Sequence, residues 1–424
     1  MHKEDQLYKE YLAILKEELI PAMGCTEPIA LAYAASKAKE VLGELPDKVV
    51  VEASGSIIKN VKSVIVPNTN QLKGISAAVA AGIVAGNCDR ELEVISEVDE
   101  QKKQEIAEYL RNTFFEEKFL DEGNVFDLIV TLYKDKDYSK VRISHYHTNI
   151  VLIEKNGEVL FSKEDNIEKT HSTDRGCLNM EAIYDFSNTV DIEDVRETIE
   201  RQIEYNTSIA LEGLKNNYGA NIGKVLLKHG GDSVDVRAKA MAASASDARM
   251  NGCEMPVIIN SGSGNQGITC SLPVIEYAKE YNINKDKLIR ALVLSNLVAI
   301  HEKTRIGTLS AFCGAVSAGA SAGAGIAYLL DGSYDAIIHT VVNALAISSG
   351  IICDGAKASC AAKISTSVDA GIFGYQMYLE HQEFKGGDGI VVKGIENTIR
   401  NIGRLSSEGM RETNKEIISM MIEK

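Results

Sequence analysis

The first 45 residues carry a helical pattern of apolar and charged positions. In residues 5–19, leucines and a tyrosine recur every three or four positions between charged residues, which predicts an amphipathic helix. Pro21 and Gly24 interrupt this pattern, and Thr26 is a suitable cap for a second helix that runs to about residue 41. The pattern therefore places Cys25 at a helix N-terminus.

Beyond residue 46 the apolar residues alternate with a period near two, which is typical of strands. The predicted strands are residues 48–53, 61–66, 92–98, 125–133, 140–144, 149–155 and 158–162. Helices are predicted between them at about 74–86 and 99–117.

From Asp191 the helical period returns and continues to the C-terminus, apart from a short apolar run at residues 257–260. We therefore expect an α+β protein, with a mixed α/β domain over residues 1–190 and a mainly α-helical catalytic domain over residues 191–424.

Residues 306–330 carry no Asp, Glu, Lys or Arg and are numerous enough to cross a bilayer. Most of residues 311–330 are Gly, Ala or Ser, however, and such small side chains gain little by entering lipid. The stretch predicts a buried, closely packed helix and no membrane span.

Charge and cysteine content exclude several classes of protein. The formal net charge is -15 and no basic stripe is present, which argues against nucleic acid as a partner. The charged N-terminus lacks the apolar run of a secretory signal, so we expect a cytoplasmic protein with reduced thiols. Eight cysteines in 424 residues are too sparse for a disulfide-stabilised scaffold.

Residues 262–267 read GSGNQG and match the dinucleotide pattern GxGxxG. The strand and acidic residue that must follow in a dinucleotide fold are missing, because Pro273 comes soon after and Asp286 opens another helix. Two interpretations remain, a flexible turn or a cradle of backbone N–H groups. In the cradle, the polar side chains of Ser261, Asn265 and Gln266 would help to hold a small anion such as a carboxylate.

Three cysteines lie near glycines in the C-terminal half. Cys353 and Cys360 are seven residues apart, and Cys313 precedes the small-residue helix. Spacing alone leaves open whether they are buried structural residues or ligands of a soft metal or iron–sulfur cluster. The other cysteines of this chain, apart from Cys25, are predicted to be core residues: Cys88, Cys177, Cys253 and Cys270.

Cys25 has a setting that favours the thiolate, because the positive end of a helix dipole lowers a thiol pKa, although Glu27 opposes this effect. A base, a nucleophile, a ligand or an ordinary helix start all remain open for it. His145 and His147 are two apart in a predicted strand, so we expect them on one face, as a polar lining, a surface pair or a metal pair.

Several motifs together resemble the iron–sulfur L-cysteine desulfidases, which are relatives of the iron–sulfur L-serine dehydratases. The motifs extend over nearly the whole chain. They are residues 24–28 (GCTEP), the segment 54–74 with IIKNV and VPN, residues 147–150 (HTNI), 261–267, 303–314 and 350–360.

This resemblance implies a [4Fe–4S] cluster held by Cys313, Cys353 and Cys360, with the fourth iron open to substrate. It also implies breakdown of L-cysteine to pyruvate, ammonia and sulfide. The hypothesis for the mechanism is that the Cys25 thiolate removes the Cα proton while the open iron binds the substrate. The residues expected to orient the amino acid are Thr26, Asn60, His147, Ser261, Asn265 and Gln266.

Other functions remain open from the sequence. L-Serine dehydration uses the same logic with water as leaving group, and an amino-acid or redox sensor would use the thiols without turnover. A nicotinamide-dependent oxidoreductase is a third alternative. A homo-oligomer is compatible with the small-residue helices.

Overall fold

The computed structural model describes residues 1–120, 124–163, 173–307 and 310–422. Of the motif at residues 303–314, positions 308 and 309 lie outside the described residues. An N-terminal part with β-sheet precedes a mostly helical part, so the prediction of an α+β fold is confirmed. The division into two domains at residue 190 stays a prediction.

The N-terminal part is built on a six-stranded sheet with the order β3-β2-β4-β5-β6-β7. Its strands are β2 (Lys48–Ser54), β3 (Phe114–Leu120), β4 (Asp127–Lys134), β5 (Asp137–Ser144), β6 (Ile150–Lys155) and β7 (Glu158–Ser162). Only β2 and β3 pair in parallel; the other neighbours are antiparallel. The helices of this part are α1 (Gln6–Glu18), α2 (Thr26–Leu42), α3 (Gly55–Val61), α4 (Ile75–Ala85) and α5 (Glu100–Asn112). Helix α2 packs on β4 and β5, and α4 packs on α2.

Three predicted elements differ from the observed ones. Residues 61–66 are not a strand, because α3 ends at Val61 and a turn follows. Residues 92–98 are also not a strand, since a 3₁₀ helix occupies Cys88–Glu93. The helix predicted to end at 117 ends at Asn112, because the next residues pair with β2 as strand β3. A short apolar run is compatible with a helix or with a strand, and contacts elsewhere in the fold determine which of the two forms.

A second, two-stranded sheet joins the start of the chain to the helical part. Strand β1 (Pro21–Met23) pairs antiparallel with β8 (Pro256–Ile258), and the Ile259 N–H continues the contact by donating to the Ile20 carbonyl (3.0 Å). On the N-terminal side of this ladder, α1 packs against α7 (Ile192–Lys215) and α11 (Lys285–Ile306). The ladder therefore holds the segments around β1 and β8 in one part of the fold.

The helical part is organised around α12 (Gly314–Leu330), the predicted small-residue helix. It contacts α10 (Gly264–Glu280), α11, α13 (Tyr334–Ser348) and α14 (Cys360–Leu379). The remaining helices are α6 (Met180–Thr189), α8 (Ile222–Gly230), α9 (Val234–Met250), α15 (Ile395–Arg404) and α16 (Arg411–Ile422). Among the described residues, no helix is both long and apolar enough to cross a membrane.

Glycines allow α12 and α14 to approach until their backbones touch. A Cβ atom added at Gly323 would lie 2.6 Å from the carbonyl oxygen of Gly371, and one added at Gly371 would overlap the carbonyl oxygen of Gly319. The small-residue stretch thus serves close helix packing, as the sequence predicted.

Substitution Gly371→Ala should therefore lower the free energy of unfolding by about 1–3 kcal/mol, because the two helices must move apart to accept one methyl group. Chemical denaturation measures this difference. The matched control is Thr366→Ala, at an exposed position of the same helix, which should change stability by no more than about 0.5 kcal/mol. Equal stability of the Gly371→Ala variant and the wild type would contradict the packing described.

Candidate active site

The turn between β1 and α2 holds Cys25 in a fixed position. Gly24 adopts a left-handed backbone (φ 60°), and a Cβ atom there would lie 2.8 Å from the Pro67 ring, so glycine is required. Cys25 is the extended residue immediately before α2, as predicted, and its side chain is only 3% exposed.

The buried carboxylate of Glu27 is the hub of this turn. Cys25 Sγ donates to its Oε2 atom (2.9 Å), and Asn60 Nδ2, from α3, donates to its Oε1 atom (3.0 Å). Thr26 Oγ1 lies within donating distance of both Glu27 Oε2 (3.2 Å) and the carbonyl oxygen of Gly262 (3.0 Å). Three of the predicted site residues, Cys25, Thr26 and Asn60, thus meet at a carboxylate that the sequence did not single out as a partner.

This carboxylate reverses the expected ionisation of Cys25. Burial raises the pKa of the Cys25 thiol well above its usual value, the Glu27 charge raises it further, and the Arg249 cation opposes them. Burial alone would raise the pKa of Glu27 as well, but His147, the Cys25 hydrogen bond and Arg249 together hold it below its usual value. Contrary to the expectation from the helix dipole, Cys25 is a neutral thiol that donates to Glu27.

The loop at residues 260–267 is a defined turn and not a free one. Asn260 and Ser263 exchange backbone hydrogen bonds (3.0 and 3.1 Å), and Ser261 and Gly262 between them have left-handed backbones. Ser261 Oγ donates to Asn260 Oδ1 (2.9 Å). Helix α10 begins directly after the turn, but the strand before it, β8, pairs antiparallel with β1, so a dinucleotide-binding βαβ arrangement is not formed.

Each half of this loop contacts a different polar side chain. A Cβ atom at Gly262 would lie 3.3 Å from the His147 ring, and one at Gly264 would overlap the guanidinium of Arg249. Gln266, two residues further on, packs against Gly314, where a Cβ atom would lie 2.8 Å from its Cδ atom. The Oε1 atom of Gln266 is buried and accepts no hydrogen bond from the described residues.

His147 faces the loop with an unpaired ring nitrogen. Its ring packs edge-on against Phe126 (4.7 Å between centroids), and Nε2 is buried without a hydrogen-bond partner among the described residues. Burial lowers the pKa of His147, Glu27 opposes this effect, and Arg249 adds to it. The prediction that it shares a strand face with His145 is wrong, because β5 ends at Ser144 and both histidines lie in the following turn.

Arg249 is a residue of the site that sequence reasoning missed. It lies at the end of α9 and is only 3% exposed. Its Nη1 donates to Asn265 Oδ1 (3.1 Å), while Nε is buried without an acceptor among the described residues. Burial lowers the pKa of Arg249, and the nearby acidic groups of Cys25, Glu27 and Cys360 oppose this. The one available signal was an arginine within a run of Ala, Ser and Met (AMAASASDARM).

Backbone hydrogen bonds bring the segments of the three C-terminal cysteines together. Cys313 N–H donates to the Ile351 carbonyl (3.0 Å), and Cys353 N–H donates to the Ala311 carbonyl (2.6 Å). Cys313 immediately precedes α12, and Cys360 is the first residue of α14.

Burial and neighbouring thiols disfavour the ionisation of Cys313 and Cys360. Burial raises the pKa of Cys313 to about 12, with further contributions from Cys353 and Cys360, and burial and Cys353 raise the pKa of Cys360. No group of three or more His, Cys, Asp or Glu side chains in the described ranges is arranged to hold a single metal ion. A cubane cluster makes a different demand, because its irons occupy separate corners and each thiolate binds one of them.

Cys25 lies next to this group. It forms a small apolar cluster with Val64 and Met250, and Ala356 and Cys360 pack against that cluster. The helix start of α2 and the cysteine segment therefore share one buried region.

Two lysines make the cysteine region electropositive. Lys59 Nζ donates to Asn414 Oδ1 (2.7 Å) and to the Cys353 carbonyl (3.3 Å). Burial lowers the pKa of Lys59 and of Lys303, and in both cases Cys353 is the largest opposing influence. Neither lysine has a carboxylate within 4 Å among the described residues. Buried cations beside three thiols fit three thiolate ligands and an iron–sulfur cluster, because the thiolates would balance their charge.

A family model described as the serine dehydratase alpha chain matches residues 89–419. The chain belongs to this family. It is 60% identical over 423 residues to a UPF0597 protein of Desulfitobacterium hafniense, with 100% of this chain and 98% of the relative covered. UPF0597 proteins of Lachnoclostridium phytofermentans (52% over 416 residues; 98% and 100% covered) and Treponema denticola (46% over 429 residues; 100% of each covered) are also similar.

Members of the serine dehydratase family are lyase-type enzymes that typically depend on an iron–sulfur cluster. The matched region contains the cysteine segments, the glycine loop and Arg249, whereas Cys25 and Glu27 precede it. The predicted relation to iron–sulfur serine dehydratases is thus confirmed at the level of the family.

The other cysteines have separate surroundings. Cys88 donates to Glu40 (2.8 Å), and Cys270 is fully buried in α10. Cys253 is buried as predicted, but Cys177 is only partly buried because it lies in a 3₁₀ turn at the surface.

The pairing of Cys25 with Glu27 predicts how Cys25 reacts with iodoacetamide, which requires a thiolate. Glu27→Gln removes the charge that holds the proton on sulfur, so the pKa of Cys25 should fall and its alkylation at pH 8 should accelerate, by on the order of tenfold for each unit of that fall. Mass spectrometry of the Cys25 peptide measures the rate, with Cys177 in the same digest as the reference. Equal rates in the wild type and Glu27→Gln would contradict the proposed control of Cys25 by Glu27.

Proposed function

We propose that this chain is an iron–sulfur-dependent L-cysteine desulfidase that converts L-cysteine into pyruvate, ammonia and sulfide. The observation that carries the proposal is the Cys25–Glu27 hydrogen bond, in a buried region that also contains Cys360. Elimination of the β-substituent of an amino acid needs a base for the Cα proton, and this pair is suited to be that base.

The cluster is assigned to Cys313, Cys353 and Cys360, which the lysines at positions 59 and 303 surround with positive charge. When bound, a [4Fe–4S] cluster with three protein ligands supplies an iron with an open coordination position that acts as a Lewis acid.

The chain's own residues account for the movement of protons. Glu27 accepts the Sγ proton of Cys25 across their 2.9 Å hydrogen bond, and the thiolate then removes the Cα proton of the substrate. The electron pair of the Cα–H bond becomes the Cα–Cβ double bond as the Cβ–S bond breaks and hydrosulfide departs. The proton on Glu27 balances its charge as hydrogen sulfide, and the aminoacrylate tautomerises and hydrolyses to pyruvate and ammonia.

A raised thiol pKa is useful for this step. A thiolate with a high pKa is a stronger base toward the weakly acidic Cα proton, although less of it is present at equilibrium. Because Glu27 is already hydrogen-bonded to Sγ, the proton can leave Cys25 without a change of position of either side chain, and the thiolate need form only transiently.

The other predicted site residues divide into two groups. Asn60 and Thr26 act through Glu27, which they hold toward Cys25, and are positioning residues. Gln266 and His147 each present an unpaired, buried polar atom beside the glycine loop. The Gln266 Oε1 acceptor suits the substrate ammonium group. Ser261 and Asn265 keep the loop and Arg249 in place.

L-Serine dehydration is the second candidate, because the matching family is described as a serine dehydratase alpha chain. The two substrates differ in the leaving group, a hydrosulfide or water. The reconstituted enzyme should be given each amino acid without oxygen, and pyruvate and sulfide measured separately. We expect sulfide and pyruvate in equal amounts from L-cysteine and a lower kcat/KM for L-serine. Pyruvate from L-serine alone would establish the second candidate, and binding without turnover would indicate a sensor.

The base role of Cys25 has its own test. Cys25→Ala should lower the rate of sulfide release by about 10²-fold or more. The substitution removes the thiol that is hydrogen-bonded to Glu27 and that is proposed to exchange a proton with the substrate. Cys177→Ala, at a partly buried surface turn, is the control and should retain full activity. Near-wild-type sulfide release by Cys25→Ala would exclude the base role.

The cluster assignment is tested independently of turnover. Anaerobic iron and acid-labile sulfide analysis of Cys313→Ala, Cys353→Ala and Cys360→Ala should each reveal strongly reduced cluster content, since only three protein ligands hold the cluster. Cys270→Ala and Cys177→Ala should retain it. Full content in any of the first three variants would remove that cysteine from the ligand set.

A further inference from the structure

The guanidinium of Arg249 has more donors than the protein uses. An arginine carries five N–H donors, and in the described structure only Nη1 has a hydrogen-bonding oxygen, Asn265 Oδ1 at 3.1 Å. The Nε atom is buried without an acceptor, and Nη2 makes no hydrogen bond to the described residues. The Nε and Nη2 edge of the guanidinium therefore has no hydrogen-bond acceptor among the described residues.

Such a buried cation needs an anion. Leaving a charge unpaired in a buried place is costly, so buried arginines are usually paired with carboxylates. Arg249 has no carboxylate within 4 Å among the described residues. Glu27 is close enough to influence its pKa, but the two oxygens of Glu27 are already occupied by Cys25, Asn60 and Thr26.

The surrounding backbone is shaped to keep this arginine in place. Gly264 is the first residue of α10, and any side chain at that position would overlap Nε of Arg249. Asn265, the next residue, accepts from Nη1, whereas Nε has no acceptor among the described residues. The glycine loop thus supplies both the space and the orienting bond for one guanidinium.

We propose that Arg249 binds the α-carboxylate of the amino-acid substrate through its Nε and Nη2 atoms. This inference rests on the proposed function in that it takes the substrate to be an α-amino acid. A planar guanidinium matches a carboxylate in a bidentate arrangement, which fixes the orientation as well as the position of the ligand. Cys25 is close enough to Arg249 for the cation to influence its ionisation, so the proposed base lies near the proposed carboxylate site.

The same geometry predicts which amino-acid groups are recognised. The unused donors of Arg249 suit a carboxylate, and the unpaired Oε1 acceptor of Gln266, two residues beyond Gly264, suits an ammonium group. An α-amino acid carries both groups on one carbon. A decarboxylated amine keeps only the second and should bind poorly.

Binding without turnover tests this inference. L-Alanine has the carboxylate, ammonium group and Cα of the substrate but no leaving group, and ethylamine lacks the carboxylate. Calorimetric titration of the cluster-loaded protein without oxygen should give a dissociation constant for L-alanine at least about tenfold lower than for ethylamine, as expected for a charge-assisted bidentate contact. In Arg249→Gln this preference should disappear.

Arg201→Gln is a matched control. Arg201 lies on α7 and also has a buried Nε without an acceptor among the described residues, but Nη2 donates to the Leu19 carbonyl. Its substitution should leave the preference for L-alanine unchanged.

Two further measurements keep the test decisive if Arg249→Gln folds poorly. Arg249→Lys keeps the charge without the fork and should raise KM more than it lowers kcat. In Arg249→Ala, added guanidinium ion should restore the binding of L-alanine but not change that of ethylamine.

Retention of the L-alanine preference by Arg249→Gln, with normal iron content, would overturn the carboxylate role. That result would leave the proposed function intact if sulfide release from L-cysteine persists. Conversely, loss of the preference together with pyruvate formation only from L-serine would overturn the desulfidase proposal and keep the role of Arg249.

Discussion

The candidate site depends on a three-residue ladder between β1 and β8. Without this pairing, the turn that carries Cys25 and the glycine loop would belong to separate parts of the chain, more than 230 residues apart in sequence. The antiparallel ladder holds the two strands together, and the contact of Thr26 Oγ1 with the Gly262 carbonyl (3.0 Å) brings the two loops together. A slip in this register would shift the proposed base relative to Arg249 and Gln266, because Cys25 follows β1 whereas Gln266 and the Arg249 partner Asn265 follow β8.

Charge balance is the second constraint on the buried region. The negative charge of Glu27 is stabilised by hydrogen bonds from Cys25 and Asn60 and by the positive charge of Arg249. Lys59 and Lys303 lie beside the other thiols. These cations lie where the protein would hold anions once cofactor and substrate are bound. The two lysines would lie beside the thiolate ligands of the proposed cluster, and Arg249 would bind the carboxylate of the proposed substrate. The folded chain therefore bears an electrostatic cost that its proposed cofactor and substrate would remove.

The fold class could be predicted from the sequence, and a candidate site could be proposed, because long helices, the glycine loop and the cysteine segments each leave a local pattern. Helix α4 and the strands β4 to β7 follow from periodicity, but the end of α5 and the strand β3 do not, since pairing with β2 decides them. The effect of Glu27 on the pKa of Cys25 was underestimated from the sequence. A helix dipole acts weakly and only within one turn, and a buried carboxylate at 2.9 Å outweighs it. Arg249 was not predicted as a site residue because its candidacy depends on its burial, which cannot be read from the sequence.

Electrostatics also distinguishes the proposed roles of the neighbouring cysteines. Cys25 and Cys360 pack against the same small apolar cluster, yet their charged neighbours differ. Beside Cys25 is a carboxylate, which favours the protonated thiol and disfavours a thiolate ligand. Burial raises the pKa of the Cys360 thiol as well, but the charges of Lys357 and Lys363 oppose this rise, which favours the ligand form. The proposed cluster-binding segment thus adjoins a thiol that keeps its proton, and that difference fits the proposed division of roles, in which one cysteine moves protons while its neighbour holds iron.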